Sequence, residues 1–135
     1  MSSRNRSRSR TAVVRAMAAF AVVPFVTGVA SAVAGPARIP GGQAASPSVD
    51  NAFRYANLSL AAAGPGLWWT LARPDERAPQ TRAIFGWAVL CGLVRVASWA
   101  RAGRPHPVFV LSTVLELGVV PTLLGWHRRE FPPTR

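Results

Sequence analysis

Four apolar blocks, separated by connectors rich in glycine and proline, limit the folds that this chain can adopt. Half of the 135 residues are hydrophobic, and they are concentrated in these blocks. A helix needs about 20 consecutive apolar residues to cross the ~30 Å hydrocarbon core of a bilayer, and each block is close to that length. The blocks cover residues 12–34, 52–72, 83–100 and 108–126. The sequence therefore predicts an all-α fold, an integral membrane four-helix bundle.

The arginines predict the orientation of this bundle. The chain contains 16 basic residues, all of them arginine, and its net charge is +11. With the N-terminus inside, ten arginines lie on the cytoplasmic side and three on the outer side. Because cytoplasmic loops carry the excess of basic residues, both termini are predicted to be cytoplasmic. The predicted organisation is a basic arm (1–11), a single transmembrane domain (12–127) and a basic tail (128–135).

The basic arm favours a lipid partner over nucleic acid. Its arginines, at positions 4, 6, 8 and 10, precede an apolar helix, and each is worth about 1 kcal/mol against anionic lipid. No aromatic residues alternate with them to stack on bases, as single-stranded nucleic acid would require. The predicted partner of the arm is therefore the anionic surface of the bilayer, and no nucleic acid is expected.

The first block admits two interpretations. Arginines, an apolar stretch and the small-residue triplets Ala30-Ser31-Ala32 or Ala32-Val33-Ala34 are also typical of a secretory signal peptide. The block is longer than the usual core of such a signal, about 7–15 residues, and Pro24 lies near its middle. A retained transmembrane helix is favoured, with cleavage of residues 1–34 as the alternative.

Two ionisable side chains lie deep inside the predicted third and fourth helices. Arg95 and Glu116 each carry an insertion cost of roughly 2.5–3.5 kcal/mol, so such residues are rare and are paired or functional. At 1.5 Å per residue, Arg95 is about 9 Å and Glu116 roughly 15 Å from the outer ends of their helices. An arginine side chain can span the difference and suits a carboxylate partner. The sequence predicts that the two residues form an ion pair.

Further polar residues are expected in the same outer half. On the second helix Asp50 is predicted as the N-cap, and Arg54 and Asn57 share one face; Ser98 shares a face with Arg95, and Ser112 precedes Glu116 by one turn. All seven residues are predicted to converge on one polar pocket. The pocket either fixes the helix register or holds a ligand. The second arginine either accepts an anionic group or extends to the interface.

Other reactive residues form no recognisable site. His106 and His127 are placed at opposite membrane faces as interfacial residues, and Cys91 has no nearby thiol or imidazole in the sequence. No metal-ligand set, cofactor motif or catalytic constellation is visible. The sequence predicts a protein that is not an enzyme and binds no cofactor or metal.

An ordered set of landmarks resembles a bacterial family of small four-helix membrane proteins, domain of unknown function 4345. The landmarks are Thr27-Gly28, then Asp50-Asn51-Ala52-Phe53-Arg54-Tyr55, then Gly92, Arg95 and Ser98, and finally Glu116, Pro121 and Trp126. The similarity covers residues 12–126 and departs at Ala52, where an acidic residue is expected. It implies a multi-pass protein of the inner (plasma) membrane with no established activity. A looser likeness to DoxX-type proteins rests on topology alone.

Three functions are compatible with these observations. The first is a non-enzymatic bundle whose outer pocket (Arg54, Arg95, Glu116) binds a small ligand or lipid head group. Alternatively, the same pocket docks a membrane protein partner or a second copy of the chain. The second is a small transporter or proton-coupled exporter that uses Glu116. The third is a subunit of a membrane redox system.

Overall fold

The computed structural model describes residues 3–132, which are all-helical and include no β-strand. The predictions for residues 1, 2 and 133–135 of the arm and tail lie outside the described residues. The helices are α1 (Ser3–Phe20), α2 (Val22–Ala34), α3 (Pro47–Ala61), α4 (Ala63–Leu71), α5 (Ala78–Ala102), α6 (Pro107–Val114) and α7 (Val120–Glu130). A 3-10 turn (Pro36–Arg38) follows α2, and a π-helical segment (Leu115–Val119) joins α6 to α7.

Three helical stretches within the described chain are long and apolar enough to cross a membrane, which indicates a membrane protein. They are Asn5–Ala34, Ala78–Ala102 and Pro107–Glu130. The stretch made by α3 and α4 is not among them. A fourth crossing over residues 52–72 therefore stays a prediction.

Three helix starts precede the predicted ones by five residues or more, among them that of α5, which begins at Ala78 and not at residue 83. The described part of the basic arm is helical, because α1 begins at Ser3 and continues into the apolar block. The second predicted helix begins at Pro47, and its N-cap is Ser46, whose hydroxyl accepts a hydrogen bond from Val49 N at 3.4 Å. Asp50 is thus not the N-cap but lies in the first turn. Proline at the first helical position explains this start, since its missing N–H has no intrahelical partner to lose.

Each interruption of a long helical stretch lies just before a proline. A proline lacks the N–H that would bond to the carbonyl four residues earlier, and its ring crowds that carbonyl. The break between α1 and α2 precedes Pro24, the break between α3 and α4 precedes Pro65, and the π-helical segment precedes Pro121. The prolines therefore bend the helices inside the bundle.

The two ends of the bundle are packed differently. At the end that carries both chain termini, here the terminal end, α1 packs against α7 and α4 against α5. The apolar core lies in this half. Helices α1, α4, α5 and α7 contribute its buried side chains, which include Val13, Met17, Leu67, Phe85, Val120 and, at the end of α7, Phe131. At the opposite end, here the loop end, the described helices make two pairs. The α2–α3 pair and the α5–α6 pair have no close backbone contact with each other, so a cleft separates them.

Glycine lets α2 and α3 approach closely. A Cβ atom on Gly28 would lie 2.6 Å from the carbonyl oxygen of Asn57 and 2.7 Å from the amide nitrogen of Ala61. Both contacts are with backbone, which cannot move aside as a flexible side chain can. Small residues at such crossings are how helices associate where lipid offers no hydrophobic driving force. Gly28 therefore fixes one wall of the cleft.

Candidate functional site

Arg95 and Glu116 form the predicted ion pair across the α5–α6 side of the cleft. Nε of Arg95 lies 2.9 Å from Oε2 of Glu116, and the two side chains are 33% and 15% exposed. Oε2 is buried, and no described residue donates a hydrogen bond of normal geometry to it. The contact is therefore electrostatic, and the ionised carboxylate offers only acceptor atoms.

The local backbone holds Glu116 in an unusual position. It lies in the π-helical segment, where the amide of Val120 donates to the carbonyl of Leu115. Single π-helical turns are rare, and those that do occur are frequently found at functional sites. Opposite this turn, α5 carries Gly92, on which a Cβ atom would lie 3.0 Å from Cβ of Glu116 and 2.8 Å from Leu117 Cδ2. A widened turn and a missing side chain together bring the carboxylate against α5.

The ion pair lines a cavity of about 110 Å³ within the cleft. Its wall is mostly apolar and includes Phe20, Val23, Leu60, Leu67, Phe85 and Leu115. The cavity is partly open, and one of its wall residues, Trp87, is 69% exposed. An apolar cavity of about 150 Å³ in another protein is large enough for benzene. The volume here suits a very small molecule or the end of a larger one.

Two hydroxyl groups complete the polar part of the wall. Thr27 and Ser112 both line the cavity. The Thr27 hydroxyl donates to the carbonyl of Val23 at 2.7 Å, and the Ser112 hydroxyl donates to that of Val108 at 3.1 Å. A hydroxyl has only one hydrogen to donate. Both hydroxyl oxygens can therefore still accept a hydrogen bond but cannot donate a second one.

Arg54 has a separate role at the loop end. Its Nη1 donates to the carbonyls of Ala32 at 2.8 Å and Val33 at 2.9 Å, which are otherwise unsatisfied at the end of α2. Its Nε donates to Asp50 Oδ2 at 2.7 Å, and this bond lowers the pKa of the Asp50 carboxyl below its ordinary value. Gly35, with φ +78°, ends α2 beside this pair. Arg54 therefore caps α2, as a cation at a helix C-terminus does.

The seven residues that sequence analysis assigned to one pocket are divided in the structure. Of the seven, only Arg95, Ser112 and Glu116 line the cavity. Asp50 and Arg54 belong to the cap of α2, the side-chain amide of Asn57 donates to Phe53 O at 2.8 Å, and Ser98 is exposed. The expectation of one shared pocket is corrected because Asp50, four residues before Arg54, neutralises it locally. Among the described residues, no second arginine lines the cavity with Glu116.

Sequence analysis missed a polar cluster at the terminal end. Ser9 donates to Glu130 at 2.5 Å and accepts from Trp126 Nε1 at 3.1 Å, which ties α1 to α7. His127, expected at the interface, is fully buried and stacks on Phe131 with ring centroids 4.8 Å apart. Its spacing from the buried Val120 and Leu123 places it on the core face of α7, and this helical periodicity was the available signal.

Most of the chain matches a known protein family. A family model, Domain of unknown function (DUF4345), matches residues 14–127. The chain belongs to this family. Membership of DUF4345 confirms the resemblance drawn from the landmark residues, whereas the DoxX likeness is not confirmed. No curated protein and no solved structure matches the chain.

Proposed function

We propose that this DUF4345 protein is a non-catalytic membrane protein whose cleft binds a small molecule from the bilayer, with Arg95 and Glu116 at the polar end of the site. The observation that carries the proposal is an ion pair in the wall of a mostly apolar cavity. Intramembrane charges of this kind are rare and are associated with ligand or ion sites. The π-helical turn that places Glu116 supports the same conclusion.

A purely structural role explains the pair less well. The apolar core lies in the terminal half, whereas the pair lies in the cleft of the loop half, where the two helix pairs do not meet. Replacing a buried ion pair by well-packed apolar residues is often neutral or stabilising, so stability alone gives no reason to keep it. A cleft that contacts a ligand gives such a reason.

The proposal includes the topology predicted from the sequence. Helices α3 and α4 together contain 24 residues in helical conformation, about 36 Å at 1.5 Å per residue, which is enough to cross the hydrocarbon core. Arg54 at one end of this stretch contacts the end of α2, while Asp75, just beyond the other end, pairs with Arg10 of α1. The stretch therefore extends from the loop end to the terminal end. The arginines around the terminal end support its placement in the cytoplasm, next to anionic lipid of the inner membrane.

A proton-coupled exporter using Glu116 is the second candidate. The observation in its favour is the buried Oε2 atom without a hydrogen-bond donor in the described structure. Burial of the carboxyl group also favours its protonated form, while the guanidinium 2.9 Å away favours the ionised carboxylate, so two opposing effects set the proton affinity of Glu116. Among the described residues of the cleft, no observation favours a redox subunit, a protein partner or a second copy.

The single cysteine gives a direct test of ligand binding. Cys91 lines the cavity, and the sequence contains no other cysteine. We expect decan-1-ol to slow alkylation of Cys91 by N-ethylmaleimide in nanodiscs, because an occupied cavity excludes the reagent. The rate is followed by intact-protein mass spectrometry.

The matched control moves the thiol two turns along the same helix. Ser98 is exposed and lies outside the cavity, so in a Cys91→Ser, Ser98→Cys variant decan-1-ol should leave the alkylation rate unchanged. Equal slowing at both positions would mean that the alcohol acts on the bilayer and would contradict binding in the cleft.

A further inference from the structure

We propose that the head group bound in this cleft is an uncharged hydroxyl carried on an apolar body, an inference that rests on the proposed function. Membrane amphiphiles differ mainly in their head groups, so the polar atoms of the cavity determine which class fits. Three features of the wall lead to this assignment: its charge balance, its hydrogen-bonding atoms and the position of its opening.

The charges of the wall cancel. Among the described residues that line the cavity, Arg95 and Glu116 are the charged ones, and they are already paired. An anionic head group beside Arg95 would also be repelled by the carboxylate of Glu116. A cationic head group beside Glu116 would be repelled by the guanidinium of Arg95. Either would leave a net charge in a mostly apolar wall, which is strongly unfavourable. The balance therefore selects an uncharged head.

The hydrogen-bonding atoms of the wall require a donor. The hydroxyls of Thr27 and Ser112 donate their hydrogen bonds to backbone carbonyls, and the carboxylate of Glu116 has no hydrogen to donate. All three are acceptors, while Arg95 supplies the donors, since a guanidinium carries five N–H groups. A hydroxyl can donate to an acceptor of the wall and accept from Arg95. An ether can only accept.

The opening of the cavity determines how the body lies. Trp87, Cys91 and Arg95 line the cavity at intervals of four residues, so they share one face of α5. The face extends about 12 Å from Arg95 to Trp87 at 1.5 Å per residue. Trp87 is 69% exposed, so this part of the wall reaches the surface of the bundle. A hydroxyl beside Arg95 and Glu116 therefore directs its chain past Cys91 and Trp87 into the bilayer.

The test compares heads on chains of similar size. Decan-1-ol, its isomer methyl nonyl ether, decanoate and decylamine are each titrated against the alkylation of Cys91, with concentrations expressed as the amount partitioned into the nanodisc. We expect the alcohol to give half-protection at a concentration about tenfold lower than the other three, the factor for one hydrogen bond to a charged group. An ether or a decanoate that protects equally well would overturn the hydroxyl assignment and leave the proposed function standing. Protection by none of the four would overturn both.

A pair of serine variants separates hydrogen bonding from a change in shape. Ser112→Ala removes an acceptor from the wall and should weaken protection by decan-1-ol about fivefold, while protection by the ether stays unchanged. Ser98→Ala, outside the cavity, should alter neither. If Ser112→Ala weakens the alcohol and the ether by the same factor, Ser112 acts through the shape of the cavity and the hydrogen-bond argument is wrong.

Discussion

Breaking the Arg95–Glu116 pair on one side is expected to lower the free energy of unfolding by about 2–3 kcal/mol. One partner would then stay in an apolar wall without its counter-ion. A fully buried pair broken in this way costs roughly 3–5 kcal/mol, and the exposure of a third of the Arg95 side chain reduces the loss. The loss is measured by thermal or denaturant unfolding in detergent of three variants, Arg95→Gln, Glu116→Gln and the double variant. The double variant should recover most of the loss.

An apolar double variant separates stability from function. Arg95→Met with Glu116→Met should unfold within about 1 kcal/mol of wild type, because apolar residues often replace a buried pair without loss, yet it should lose protection of Cys91 by decan-1-ol. The exposed Arg10–Asp75 pair is the control; its disruption should cost less than about 1 kcal/mol. Full ligand protection in the Met variant would mean that the pair has no part in binding.

Gly28→Leu is expected to destabilise the protein by about 3 kcal/mol, because overpacking against rigid neighbours is costly. The new side chain would begin 2.6 Å from the backbone oxygen of Asn57 and would force α2 and α3 apart. The unfolding temperature in detergent measures the effect. Gly86→Leu is the matched control, since a Cβ atom there has no neighbour within 4 Å in the described structure. A Gly28→Leu variant as stable as Gly86→Leu would contradict the close α2–α3 contact.

The ion pair could be predicted from the sequence, whereas the cleft could not. Position along two antiparallel helices placed Arg95 and Glu116 at similar depths, and a long guanidinium tolerates the error of such an estimate. The cleft depends on how far the α2–α3 and α5–α6 pairs separate, which is decided by packing at the terminal end. No local pattern records that separation. A proline such as Pro121 commonly distorts a helix, but nothing in the sequence shows that a π-helical turn results.

The assignment of Arg54 failed for a different reason. Asp50 precedes it by four residues, a spacing at which charged side chains meet on a helix, so the sequence contained the correct partner. The prediction placed Arg54 in one pocket with Glu116 because of the helix face on which Arg54 lies. It took no account of the unsatisfied carbonyls at the end of α2. His127 was misplaced in the same way, because its polarity was considered before its position on the apolar face of α7.

Photo-cross-linking tests the central claim, that the cleft binds a small amphiphile, most directly. A medium-chain alcohol with a diazirine in its chain is irradiated with the wild-type protein in nanodiscs, and peptide mass spectrometry locates the label. The account predicts label on the cavity-lining face of α5, at Trp87 and Cys91, and its displacement by excess decan-1-ol. Label spread over exposed apolar residues such as Val33 (74%) and Val94 (68%), unchanged by excess decan-1-ol, would contradict it.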